Sequence, residues 1–154
     1  MSFQVETLTT GQNNDLVARL WTQGLPTRGV VIIVHGLGDH SDRFSALAKE
    51  LTREGWGVMA FDLPGHGLSG HGLSGHGLSG HGSSGHRWSG DGPTGRERRS
   101  TGSFRTLLAE IASARQLVAR RLPGQRHILL GHSMGGNLAL NYVLRHQEWS
   151  AVID

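Results

Sequence analysis

The sequence predicts an α/β fold, a mostly parallel sheet with helices on both faces, from three observations. Apolar β-branched runs alternate with segments of helical periodicity, the order that produces parallel strands joined by crossover helices. The run Val30-Val31-Ile32-Ile33-Val34 is apolar without interruption, as a strand buried on both faces requires. The third is the passage from Ile128-Leu129-Leu130 through Gly131-His132-Ser133-Met134-Gly135 into an apolar helical pattern. A serine with glycine two residues before and two after, between a strand and a helix, is the pattern of a sharp strand-to-helix turn.

Taken in order, residues 3–8 and 16–21 read as two strands joined by the turn-forming Gly11-Gln12-Asn13-Asn14-Asp15. The buried strand at 30–34 follows. Ser41 then opens a helix in which Phe44, Leu47, Ala48 and Leu51 fall at i, i+3, i+4 and i+7, with Gly55 as its stop. Residues 58–61 form the next short buried strand. Phe104, Leu107, Leu108, Ile111, Val118 and Leu122 mark a second amphipathic helix, closed by Pro123-Gly124. Residues 127–130 are the strand before the serine. Leu138, Leu140, Tyr142, Val143 and Leu144 predict a largely apolar helix buried against the sheet. Ala151-Val152-Ile153 begins one more strand.

At 154 residues the chain suits a single domain over 1–154. It contains no apolar run of 18 residues, so stable membrane insertion is not expected. The start, Met1-Ser2-Phe3-Gln4-Val5-Glu6, lacks the basic and apolar regions of a signal peptide. Zero cysteines exclude disulfides and thiolate metal sites. A cytoplasmic protein is expected. The formal net charge is +3, and Arg96, Arg98 and Arg99 form the tight basic cluster. No nucleic-acid recognition motif or aromatic stripe accompanies it, so a solvated loop is expected rather than a nucleic-acid partner.

The chemistry centres on Ser133. On a strand-to-helix turn its hydroxyl is lifted above the sheet, beside helix N–H groups that can stabilise an anion. That arrangement proposes a nucleophile. With 24 glycines in the chain, the six residues also fit an ordinary glycine-rich turn.

Three blocks resemble the α/β-hydrolase superfamily, and within it the monoacylglycerol lipase and lysophospholipase branch. They are Val31-Ile32-Ile33-Val34-His35-Gly36-Leu37-Gly38-Asp39-His40-Ser41, then Phe61-Asp62-Leu63-Pro64-Gly65-His66-Gly67-Leu68-Ser69-Gly70, then Gly131 to Gly136. The resemblance implies that Ser133 attacks an ester carbonyl and that the backbone N–H groups of Leu37 and Met134 form the oxyanion hole. It implies a small-molecule acyl ester as substrate, of monoacylglycerol or lysophospholipid type, hydrolysed through an acyl-serine with no cofactor and no metal. A serine at this turn departs from epoxide hydrolases and haloalkane dehalogenases, which share the fold but use a carboxylate.

The pattern departs from the family at two places. The glycine-histidine loop is duplicated, and the chain stops where the family's sixth strand begins. The family's triad runs serine, acid, histidine in chain order. His146 lies ~20 Å from Ser133 along the intervening helix, too far to act as its base. Asp154, at the end of the strand after that helix, is a conceivable acid, although this branch takes its acid from a later strand. The chain alone is therefore expected to hydrolyse esters weakly. The alternative is an inactive truncated hydrolase serving as a histidine-rich metal-binding or interaction module. A peptidase or carbon–carbon-bond hydrolase on the same fold is a third possibility.

From Gly65 the unit Gly-His-Gly-Leu-Ser runs three times and then decays, placing His66, His71, His76, His81 and His86 at equal spacing. A metal-binding segment is one reading. The other is a flexible expansion of a surface loop over about 65–95, because a spacing of five matches neither a strand face nor a helix face. Glycine-rich chain loses much entropy on folding and brings little apolar area to offset it. Deleting two or three units is expected to leave the thermal midpoint nearly unchanged by differential scanning calorimetry. A large drop would show that the loop packs.

Overall fold

A computed structural model describes residues 2–9, 15–26, 28–70 and 102–146. The elements are β1 (Ser2–Thr9), β2 (Asp15–Thr22), β3 (Gly29–Val34), a 3-10 turn (Ser41–Phe44), α1 (Ser45–Arg53) and β4 (Trp56–Phe61). A second 3-10 turn (Gly67–Gly70), α2 (Phe104–Arg121), β5 (His127–Gly131) and α3 (Met134–Arg145) follow. The repeat from His71 onward, the Arg96, Arg98 and Arg99 cluster, the strand expected at 151–153 and Asp154 lie outside the described residues.

The strands form one sheet in the order β1-β2-β4-β3-β5. β1 and β2 make an antiparallel pair from Ser2↔Thr22 to Thr9↔Asp15, and β2 runs antiparallel to β4. β4, β3 and β5 are parallel, with Val34 opposite both Phe61 and Gly131. Parallel strands need covered faces, and the central strand supplies side chains to both. Val30, Ile32 and Val34 join Met59, Phe61 and the apolar faces of α2 and α3 in one cluster, through Leu107, Ile111, Val118, Leu138 and Tyr142. Val31 and Ile33 join Trp21, Val58, Ala60 and Ala48 of α1 in the other. The uninterrupted apolar run thus encodes two cores back to back.

The boundaries carry physical information. The helix expected from Ser41 begins as a 3-10 turn and becomes α-helical at Ser45. The Ser41 amide is bound at 2.6 Å to Oδ1 of Asp62, across from the end of β4, so the first turn is pinned to the sheet. β4 starts at Trp56, two residues earlier than its apolar pattern suggests, because Trp56 and Gly57 pair with Gly29 and Val30. A Cβ on Gly57 would stand 2.9 Å from Pro26 Cγ, so the start of this strand favours glycine. α2 opens on Ser103, whose side chain accepts the Thr106 N–H at 3.2 Å. That contact satisfies one of the orphan donors of a helix N-terminus.

Two expectations hold only in part. α3 packs against the sheet as expected, through Gly135, Leu138, Ala139 and Tyr142, but Leu140 is 59% and Leu144 68% exposed. β5 closes the sheet on that side among the described residues, and no described element covers this flank of α3. The glycine loop also departs from irregularity over its first unit. Gly67–Gly70 is a 3-10 turn, and Ser69 Oγ accepts the Val17 N–H at 2.9 Å.

The first turn of α3 approaches the end of β3 closely. A Cβ on Gly135 would overlap the carbonyl oxygen of Val34 and lie 2.5 Å from that of His35, both backbone atoms with no freedom to yield. Gly135→Ala is therefore expected to destabilise the protein by about 3 kcal/mol or more, beyond ordinary overpacking. At Gly136 the nearest atom to an added Cβ is 3.3 Å away. Gly136→Ala, which gains helix propensity, is expected to stay within about 1 kcal/mol of the parent. Urea denaturation of the two variants side by side checks the contrast, and equal effects would contradict the packing.

Candidate active site

Ser133 stands between β5 and α3 with φ 55° and ψ −119°. It is the only non-glycine residue with positive φ among the described residues. Such a conformation costs about 1–3 kcal/mol and persists only where its surroundings enforce it. Here they do. A Cβ on Gly131 would overlap Gly135, and one on Gly135 would overlap Val34, so the chain can turn this sharply only with glycine at both positions. The turn is closed by the Gly135 N–H to the His132 carbonyl and the Gly136 N–H to the Ser133 carbonyl, both at 2.9 Å. Serine commonly caps a helix with its side chain. Ser133 occupies the cap position of α3 without doing so, and its side chain is exposed.

The loop after β3 approaches this turn. A Cβ built on Gly36 would lie 3.1 Å from Ser133 Cβ and 3.2 Å from the His132 carbonyl oxygen. The Asp39 N–H donates to the Gly36 carbonyl at 3.2 Å and closes a tight turn over Leu37 and Gly38. Gly38 has φ 73°, which the third position of such a turn demands. Leu37 is held outward, 72% exposed. Neither the Leu37 nor the Met134 amide donates a hydrogen bond among the described residues.

Beneath the loop lies a buried polar framework. His35 is almost fully buried, and its Nε2 accepts the Leu63 N–H at 2.9 Å. That contact places the ring proton on Nδ1, which donates to the Gly36 carbonyl at 2.7 Å. Burial pushes His35 below the ordinary imidazole value of 6.5, with the nearby His66 acting in the same direction. The His66 ring sits 5.2 Å from it, itself buried, with Nδ1 at 3.1 Å from the Pro64 carbonyl. Asp62 is fully buried, accepts the Ser41 N–H, and lies 3.8 Å from Nη1 of Arg19. Arg19 also bonds the Ser41 hydroxyl. Gly67, at φ 50°, leaves room for the Asp62 carboxylate. The block from Asp62 to Ser69 is therefore scaffold, tying the end of β4 to β2 and to the loop after β3.

Three polar and aromatic side chains near the turn are absent from the sequence-derived site. His132 Nδ1 is 3.8 Å from Asp39 Oδ2, and the Phe44 ring meets the His132 ring edge-on at 6.4 Å. Asp39 and His132 stand next to Gly38 and Ser133 in the sequence, but nothing in one dimension pairs position 39 with position 132. His146 caps the far end of α3, its ring tilted against that of Tyr142 with centroids 4.4 Å apart. Among the described residues there is no cluster of three His, Cys, Asp or Glu able to hold a metal, and no helix long and apolar enough to cross a membrane. The arrangement presents an exposed serine at a helix N-terminus, with the Gly36 turn packed against it.

The family described as Serine aminopeptidase, S33, matches residues 26–153. The chain is 31% identical over 139 residues to a monoacylglycerol lipase of Mycolicibacterium smegmatis, covering 90% of this chain and 41% of that protein. It is 29% identical over 148 residues to an uncharacterized abhydrolase domain-containing protein of Dictyostelium discoideum, covering 96% of this chain and 13% of that one. Among solved structures, a thermostable carboxyl esterase from Bacillus coagulans in complex with glycerol matches with a TM-score of 0.69 at 25% identity. That match covers 96% of this chain and 41% of the esterase. The chain thus spans less than half the length of these relatives.

The buried imidazole has a consequence for stability. In the folded protein His35 resists protonation, whereas in the unfolded chain it titrates at its ordinary value near 6.5. Below that pH the unfolded state binds the extra proton first, so stability is complete above about 6.5 and is lost as pH falls toward the folded-state value. His127 is lowered as well, by burial and then by Arg115, and adds to the same trend. The thermal midpoint is expected to be flat from pH 8 to 7 and to decline below 6.5. Scanning calorimetry at stepped pH, with the His35 ring followed by NMR, checks this. A midpoint unchanged down to pH 5.5, or a His35 ring titrating at 6.5 or above, would contradict it.

Proposed function

The chain belongs to the serine aminopeptidase S33 family of α/β-hydrolases, and from that premise we propose that it is a serine hydrolase of carboxylic esters, of monoacylglycerol or lysophospholipid type. The observation that carries this is the strained, exposed Ser133 held against the Gly36 turn. In the proposed reaction Ser133 Oγ bonds to the ester carbonyl carbon and the carbonyl oxygen becomes an anion. The Leu37 and Met134 amides receive that anion. One such donor is worth about 3–4 kcal/mol of barrier. Collapse of the intermediate breaks the ester bond, releases the alcohol, and leaves an acyl-serine that water cleaves.

The proton of Ser133 must pass to a base and then to the leaving alcohol. Nε2 of His35 is occupied by the Leu63 N–H, His132 Nδ1 faces Asp39, and His146 is at the opposite end of α3. None of the three is assigned that role. Esters rather than peptides are favoured by the monoacylglycerol lipase and carboxyl esterase among the similar proteins. The exposed apolar side chain of Leu37 at the edge of the site suits an acyl chain. As drawn, the reaction calls for no metal or cofactor.

An alkyl fluorophosphonate tests the nucleophile. Phosphorus bonds to Ser133 Oγ, the phosphorus–fluorine bond breaks, fluoride leaves and the hydroxyl proton passes to solvent. Mass spectrometry is expected to find one adduct, on the peptide bearing Ser133, and Ser133→Ala is expected to reduce labelling at least about 10²-fold. Any turnover of a chromogenic short-chain ester is expected to disappear with the same substitution. Labelling that is absent, or equal in the alanine variant, would overturn the proposal.

A further inference from the structure

We propose that Asp39 and His132 are positioning residues that clamp the loop after β3 to the turn after β5 and so hold the Leu37 and Met134 amides in register. This rests on the serine hydrolase reading above and assigns roles to two residues that reading leaves unused.

The two amides arrive on different strands. β3 and β5 are joined by their ladder as far as Val34↔Gly131, with one further bond from the His132 N–H to the Val34 carbonyl at 3.0 Å. Leu37 lies three residues past that last bond. The turn closed by Asp39 and Gly36 sets the shape of the loop tip but not its distance from Ser133. Backbone packing at Gly135 and Gly36 brings the two segments together, and the side-chain contacts across the gap meet at His132.

The imidazole lies back over the loop. Its Nδ1 would be 3.4 Å from a Cβ at Gly36, is 3.8 Å from Asp39 Oδ2, and its ring meets Phe44 edge-on at 6.4 Å. All three neighbours belong to the segment after β3. Asp39 is buried and its two oxygens are divided between tasks. Oδ1 accepts the His40 N–H at 3.0 Å and faces Arg43 at 3.7 Å, while Oδ2 faces His132. Arg43 is largely exposed, so its pairing is screened by water. A buried carboxylate left without partners is costly, and the His132 ring is the partner that reaches it from the Ser133 side. Glycine at position 36 lets the ring close over the loop, since any side chain there would press on His132 and Ser133. The effect on chemistry is geometric, because a displacement of about 1 Å in a preorganised site can cost about 10²-fold in rate.

The test uses Asp39→Asn, His132→Asn and the double variant of the protein. Labelling by the fluorophosphonate is expected to slow about 10- to 100-fold in each single variant. The double variant is expected to be no slower than the slower single, the signature of one shared interaction. Hydrogen exchange is expected to quicken crosswise, with His132→Asn loosening residues 35–40 and Asp39→Asn loosening residues 131–136, while β3 and β4 keep their protection. Should Asp39→Asn fail to fold, the exposed His132→Asn still decides through exchange on the opposite segment. Loosening confined to the substituted segment, additive slowing, or unchanged labelling would overturn this inference alone. A parent protein that takes no label at Ser133 would overturn the hydrolase reading and this inference with it.

Discussion

Everything around Ser133 follows from how closely the first turn of α3 sits on the end of β3. Gly135 touches the Val34 and His35 carbonyls at a distance that excludes any side chain. That approach shortens the path from β5 into α3, forces Ser133 to a positive φ, and requires Gly131 to vanish under the same helix. It also fixes where the loop after β3 must go, because the chain leaving Val34 meets the helix end directly and turns at Gly36. A strained residue persists when its neighbours over-determine it, and here one backbone-to-backbone contact supplies that constraint.

The constraint has to be supported from beneath, where apolar packing gives way to buried polar groups. His35, Asp62 and His66 are all buried at the carboxyl ends of β3 and β4. Each is engaged: His35 with Leu63 and Gly36, Asp62 with Ser41 and Arg19, His66 with Pro64. Buried polar groups stabilise a unique arrangement only when they are satisfied. These bonds run between loops with no ladder of their own, and they give irregular backbone the rigidity that strands have. The duplicated glycine-histidine unit is thereby divided, its first copy serving as part of this framework through His66, Gly67 and Ser69.

The legible parts of the sequence were those governed by local periodicity. The β3 run, the Ala48 and Leu51 face of α1 and the Leu107–Ile111–Val118 face of α2 announce themselves because burial recurs at the period of the element. The Gly131-to-Gly135 turn was legible because steric exclusion leaves a compositional mark. Exposure of Leu140 and Leu144 was not, since an apolar residue has the same letter whether or not a neighbour covers it. The pairing of Asp39 with His132, and of Asp62 with Arg19 and Ser41, was not legible either. These contacts join residues far apart in the chain, and their partners are set by sheet order, which only three dimensions reveal.

The same distinction bears on substrate. In the proposed reaction, an ester and an amide carbonyl would place the same developing charge on the same donors. The family description names an aminopeptidase, while a 31% identical relative is named a monoacylglycerol lipase. Discrimination must then come from groups that touch the acyl and leaving parts, not from those that hold the oxyanion. In the loop whose Gly36 packs against Ser133, Leu37 is an exposed apolar side chain, whereas Asp39 faces Arg43 through one oxygen and His132 through the other. On the proposed reading, Leu37 is the exposed side chain through which an acyl chain would be told from a charged substrate.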